Sequence, residues 1–278
     1  MPPLPPVTKW LLILNVGIFL IDLFLPRDGR GDGPISSFGE FSVASAISGG
    51  RIWEFLTFQF IHASVLHVML NSLGLYFFGP LVERWWGSKK FIGFYLICGA
   101  AGALFFTLLL TLKFLPKASA YTPLVGASAG LYGILFAVYV IAPAIRVRLL
   151  FPPIELSMKQ MAIALFVISA GTIIGGLLFP NSGIFSNEGG EAGHLGGAIM
   201  GFVLMKFPWL LSLGKREKKI IHPKEFRRNQ AKIRPRTELD LEKDTEVDRI
   251  LDKINEQGVD SLTKAERETL SKISTKDS

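Results

Sequence analysis

Gly126-Ala127-Ser128-Ala129-Gly130-Leu131-Tyr132-Gly133 opens an apolar run that continues to about residue 145. How it is read decides the fold. As Gly-x-Ser-x-Gly it matches the nucleophile elbow of soluble α/β hydrolases, which needs a strand before the serine. No strand is expected there. As Gly126-x-x-x-Gly130 the same residues form a helix-packing pattern. Both glycine spacings suit an apolar helix that starts after Pro123 and holds one hydroxyl in its first turns. There, unpaired N–H groups and the helix dipole favour developing negative charge. Tyr132, four residues on, shares the face of Ser128.

The surroundings of this stretch have the same character. Hydrophobic residues make up 49% of the 278, and their distribution matters more than the total. Residues 10–213 are long apolar runs with few charges, and residues 214–278 are mostly charged. Six spans are predicted, at roughly 9–25, 58–79, 91–112, 127–145, 159–179 and 193–213, each near the ~20 residues that cross ~30 Å of hydrocarbon. In lipid these must be helices, since backbone groups cannot go unpaired. The expected fold is therefore all-α and polytopic. The loop at 27–57 is long for a helix connection, and short amphipathic helices in the outer interface are expected there.

Lys and Arg in the loops set the orientation. With the N-terminus inside, the inner loops carry Arg84, Lys89 and Lys90, then Arg146, Arg148 and Lys159, then the basic tail. The outer loops carry Arg27, Arg30 and Arg51, offset by Asp28, Asp32, Glu40 and Glu54, then Lys113 and Lys117. Both termini are thus expected inside, in agreement with an even number of spans. The run from Trp10 ends in Pro26-Arg27-Asp28 without a cleavage pattern, so it is not read as a signal peptide. With nothing resembling an organellar transit peptide, a bacterial plasma (inner) membrane is expected.

Three regions follow: 1–213 as a membrane domain, 214–243 as a basic linker, and 244–278 as a small cytosolic helical hairpin or a partly disordered tail. Ten Lys and Arg lie between Lys215 and Arg236. Such a run after a last span fits anionic lipid headgroups and needs no nucleic acid. In the tail, Val247, Ile250, Leu251 and Ile254 have helical spacing, Gly258 suits a C-terminal cap, and Thr263-Lys264-Ala265-Glu266 is a capping-box pattern. The single cysteine, Cys98, allows no intrachain disulfide and no Cys-based metal site.

Polar residues inside spans are expensive and mark candidate functional sites. His194 sits in the last span among Gly193, Gly197 and Gly201, a spacing that lets another helix approach closely and leaves room beside the imidazole. His67 and Asn71, four apart, share a face of the second span, placed roughly 13–19 Å along it at ~1.5 Å per residue. Spans two, four and six all start outside, so His67, Asn71, Ser128 and His194 are expected at one depth in the outer half. Acyl transfer needs a nucleophile, a base touching it and donors for the oxyanion. Ser128 is read as the nucleophile and His194 as the base, with the Ser128 N–H, His67 and Asn71 as donors. Glu191, three residues before His194, is assigned to the outer loop, leaving a Ser-His dyad. His62 is expected to hold water near the site or to cap the second span. His62, His67 and His194 lack an acidic companion within a span, so no metal and no cofactor is implied.

Taken together, these motifs resemble the rhomboid intramembrane serine proteases over about residues 5–213. They are His67-x-x-x-Asn71, Gly126-x-Ser128 with Tyr132, and His194-x-x-Gly197-x-x-x-Gly201, with Glu83 and Gly87 similar to a Glu/Gly turn after the second span. The resemblance implies a six-helix rhomboid-like bundle in which Tyr132 packs against the imidazole. It also implies hydrolysis of peptide bonds in membrane-spanning protein substrates, at a water-filled cavity open to the outside. In this chain Glu54, not arginine, follows Trp53, and Gly193 stands where alanine is common. The tail at 248–274 is similar to a short module attached to some bacterial rhomboids. A catalytically inactive rhomboid-like membrane adaptor would lack the serine or the histidine, and a six-helix transporter would show related halves. Neither feature is found in the sequence.

Overall fold

The computed structural model describes residues 3–148 and 153–211, together with Arg249, Lys253, Thr263, Ala265 and Glu266. The linker and most of the tail lie outside the described residues. The chain divides into two compact units, residues 1–220 and 221–278.

The first unit is helical. Its long helices are α1 (Pro6–Leu23), α4 (Val65–Trp86), α5 (Ser88–Thr111), α6 (Ser128–Ile141), α7 (Met158–Leu178) and α8 (Glu188–Lys206). Between α1 and α4 lie α2 (Pro34–Gly39), a π turn at Ala44–Ser48, α3 (Glu54–Thr57) and a 3₁₀ turn at Phe58–Phe60. The long first loop therefore holds short helices. Between α6 and α7, β1 (Arg146–Arg148) pairs antiparallel with β2 (Glu155–Ser157), setting Val147 opposite Leu156.

Among the described helices, α1, α4, α5 and α7 are long and apolar enough to cross a membrane. Trp10, Leu66, Val167 and Ile168 on these helices are all more than half exposed. Water disfavours such a surface, and lipid accepts it.

The second long helix begins at Val65 rather than near residue 58. Phe58–Phe60 is as apolar as a span, but it closes a 3₁₀ turn, Ile61 is extended, and Ser64 caps α4 by accepting the His67 N–H at 3.2 Å. His67 and Asn71 consequently lie in the first two turns of α4, not 13–19 Å along it. Hydropathy cannot tell a buried apolar turn from a helix. The serine cap marks the true start.

Helices α1, α4 and α5 are tied together at one end by Glu83, which is 2% exposed. Its carboxylate accepts the Val7 and Thr8 N–H groups, the Thr8 hydroxyl and the Ser88 hydroxyl, at 2.7–2.9 Å. Helix α1 has Pro5 at its N-cap and no side-chain cap of its own. Glu83 thus supplies from 76 residues away the acceptor that free helix N–H groups need. Gly87, at φ 79°, makes the one-residue reversal from α4 into α5.

Helices α5, α6 and α8 pack through small residues. A Cβ on Gly201 would lie 2.6 Å from the Gly133 Cα, and one on Gly197 would overlap the Ala129 carbonyl. The Gly197 position therefore faces the α6 backbone and lets the two helices touch. Space beside the imidazole is not what it provides. The core beneath the first loop joins Phe41, Phe58, Phe106, Leu124, Ala129 and Leu195.

In the second unit, the described residues contain a reciprocal capping pair. The Thr263 N–H donates to Glu266 at 2.8 Å, and the Glu266 N–H donates to the Thr263 hydroxyl at 3.3 Å.

Candidate active site

Ser128 is the first residue of α6, a 14-residue helix about 21 Å long at ~1.5 Å per residue, well short of ~30 Å of hydrocarbon. The chain reaches it through an extended segment whose polar backbone is paired with the first loop. Leu124 exchanges two hydrogen bonds with Phe41 (2.7 and 3.1 Å), and the Gly126 N–H donates to the Phe58 carbonyl at 2.9 Å. Among the described residues no strand precedes Ser128, but Leu124 forms an isolated β-bridge with Phe41. Gly126 then turns at φ 115°, a region that side chains disfavour. A Cβ there would lie 2.6 Å from His67 Nε2, so the His67 ring sits directly over this glycine.

His194 comes to the same point from α8, with Nε2 2.8 Å from Ser128 Oγ. Tyr132, one turn below the serine, stacks on the imidazole with centroids 4.2 Å apart and planes 12° apart. The other imidazole nitrogen, Nδ1, lies 2.9 Å from Glu191. Glu191 is in the first turn of α8 rather than in the outer loop, and it accepts the Ser169 hydroxyl of α7. The sequence places this carboxylate in the outer loop and does not single out Ser169. The i, i+3 spacing of Glu191 and His194 was visible, but a partner on another helix has no signature in hydropathy.

On the opposite wall, Asn71 is 4% exposed and donates to the His67 carbonyl at 3.0 Å. The Asn71 amide oxygen has no partner among the described residues. His62 is buried behind His67, their ring centroids 5.0 Å apart, and its Nε2 accepts the Ala127 N–H at 3.5 Å. It therefore backs the turn before Ser128 and does not cap α4. His67, Asn71, Ser128, Tyr132 and His194 all line one cavity of about 610 Å³. Leu70, Leu131, Leu135 and Leu165 give its walls an apolar lining. A hydroxyl touching an imidazole, with amide and imidazole donors across an apolar cavity, has the parts for acyl transfer.

A Rhomboid domain model matches residues 49–210, which contain His62, His67, Asn71, Ser128, Tyr132, Ser169, Glu191 and His194. A second model, DUF6576, a family of unknown function, matches residues 228–276. The chain is 25% identical over 213 residues to RHOMBOID-like protein 7 of Arabidopsis thaliana, covering 76% of this chain and 57% of that one. It is 32% identical over 161 residues to Rhomboid protease GluP of Bacillus subtilis (strain 168), covering 57% and 26%. It is 27% identical over 208 residues to Rhomboid protease AarA of Providencia stuartii, covering 71% and 70%. The match thus spans little more than half of the Arabidopsis relative and about a quarter of the Bacillus one.

Proposed function

The chain belongs to the rhomboid family of integral membrane proteins, and from that premise we propose that it is an intramembrane serine endopeptidase cutting membrane-spanning protein substrates. Helices α1, α4, α5, α6, α7 and α8 are its six spans, with both termini on the inner face of a bacterial plasma membrane. The loop charges support that orientation. The charge of the basic segment 215–236 suits anionic headgroups.

The observation that carries the reading is the 2.8 Å contact between Ser128 Oγ and His194 Nε2. The two groups act as a catalytic dyad. The Ser128 hydroxyl attacks the scissile carbonyl and gives its proton to Nε2. The new oxyanion is met by the Ser128 N–H, Asn71 and His67. The C–N bond then breaks as His194 protonates the leaving amine, and a water activated by the same nitrogen releases the acyl group. The first N–H groups of a helix have no intrahelical acceptor, which makes the Ser128 amide suitable for this task.

A fluorophosphonate probe tests the proposal in detergent. The wild type should label, while Ser128→Ala and His194→Ala should not. Labelling of the wild type no better than of Ser128→Ala would reject the protease reading.

A further inference from the structure

A Ser-His pair leaves open what holds the imidazole in the tautomer that presents a bare Nε2 to the serine. We propose that Glu191 does so, as the third member of a Ser128–His194–Glu191 relay locked by Ser169. The inference rests on the protease reading and deepens it.

Glu191 lies 2.9 Å from His194 Nδ1, and the two side chains are only 14% and 17% exposed. Solvent therefore competes weakly for their contact. The same carboxylate oxygen, Oε2, also accepts the Ser169 hydroxyl from α7. The Tyr132 ring stacks on the imidazole. The imidazole is thus fixed in plane by Tyr132 and in rotation by Glu191, and Glu191 is fixed in turn by Ser169. Its place in the first turn of α8 favours the ionised carboxylate. An i, i+3 pair on a solvated helix face would need none of this closure.

The chemistry follows from the contact. Ionised Glu191 accepts the Nδ1–H, which leaves the Nε2 lone pair facing Ser128. When Ser128 Oγ bonds to the carbonyl carbon, its proton moves to Nε2, and Glu191 stabilises the resulting imidazolium without taking a proton itself. As the C–N bond breaks, that Nε2 proton goes to the leaving amine, and the ring is neutral again. Glu191 is a positioning residue, because it acts only through His194. Among the described residues, the titratable groups facing the ring are Glu191 on α8, Tyr132 on α6 and, across the cavity, His67 on α4. Helix α7 offers Ser169, and the face of α5 against α8 presents Gly102 and Phe105.

The test compares wild type, Glu191→Gln, Glu191→Asp, Ser169→Ala and Ser128→Ala on a membrane-spanning substrate in vesicles, across pH 5–9. Thermal melting of each variant in detergent checks its fold. Glu191→Gln should cut kcat on the order of 10²-fold or more, toward the ~10⁴ that neutralising a triad carboxylate costs, with KM little changed. Its acid limb should move to lower pH, because the imidazolium has lost its anionic partner. Glu191→Asp keeps the charge and should restore the limb and part of kcat. A purely structural role would lower the melting temperature without moving the limb. A folded Glu191→Gln with wild-type kcat and limb overturns the relay alone. If Glu191→Gln does not fold, wild-type kcat in both Glu191→Asp and Ser169→Ala overturns it. A wild type no more active than Ser128→Ala overturns the protease reading and the relay together.

Discussion

Gly126 holds φ 115° directly beneath the His67 ring. Gly126→Ala would force a side chain into a backbone region that costs about 1–3 kcal/mol, and would push His67 away. The expected result is a lower melting temperature together with a loss of cleavage, read by thermal scanning and a substrate assay on the same preparation. Asn71→Ala removes one proposed oxyanion donor and leaves the Ser128–His194 contact in place. It should lower kcat by roughly 10²–10³-fold and leave fluorophosphonate labelling detectable. The residues of this site were largely legible in the sequence, because hydroxyl, imidazole and amide groups are conspicuous in apolar helices. The bonding of Glu191 to His194 and Ser169 was not. A serine in an apolar run and a glutamate near a helix start each have ordinary explanations, and only the packing of α7 on α8 makes them partners.

The helices were legible as apolar runs, but where they begin was set by capping and turn chemistry. Ser64 fixes the start of α4, and Gly87 fixes its end. The bond network of Glu83 is a property of three elements at once. Glu83→Ala should destabilise the protein by about 2–3 kcal/mol, since four donors lose a charged acceptor and two of them are helix N–H groups. Thermal unfolding in detergent checks this, with Thr8→Ala as a milder companion. The turn at residues 28–32 has its own carboxylate tie. Backbone N–H donation from Asp32, then from Arg30, holds Asp28 at about pKa 2, below its ordinary 3.8. Because the folded value is depressed, this contact contributes above pH 4 and is lost as pH falls from about 4 to about 2. Amide exchange at Arg30 and Asp32, corrected for intrinsic rate, should rise in that window.

For the molecule as a whole, the backbone contact of α6 with α8 through Gly197 and Gly201 brings the serine to the histidine. Enlarging Gly201 to leucine should spread the two helices and reduce labelling and cleavage together, while a probe that only reports folding changes less. The groups proposed for catalysis all lie within residues 49–210, matched by the Rhomboid domain model. Removing residues 221–278 should therefore leave cleavage of a model substrate intact, as measured against the full chain in vesicles. The glycine spacings of α6 and α8 were visible in sequence as a pattern, but which helix each would meet was not.

The Glu83 knot also bears on the order of assembly. The first amides of α1 find their acceptor only when residue 83 has been made, 75 and 76 positions later. At ~5–20 residues per second of synthesis, that is a wait of roughly 4–15 s. During that interval the start of α1 must stay hydrated or borrow another acceptor. Helix α1 is thus locked only after α4 and the start of α5 have been made, and its docking reports that they have arrived.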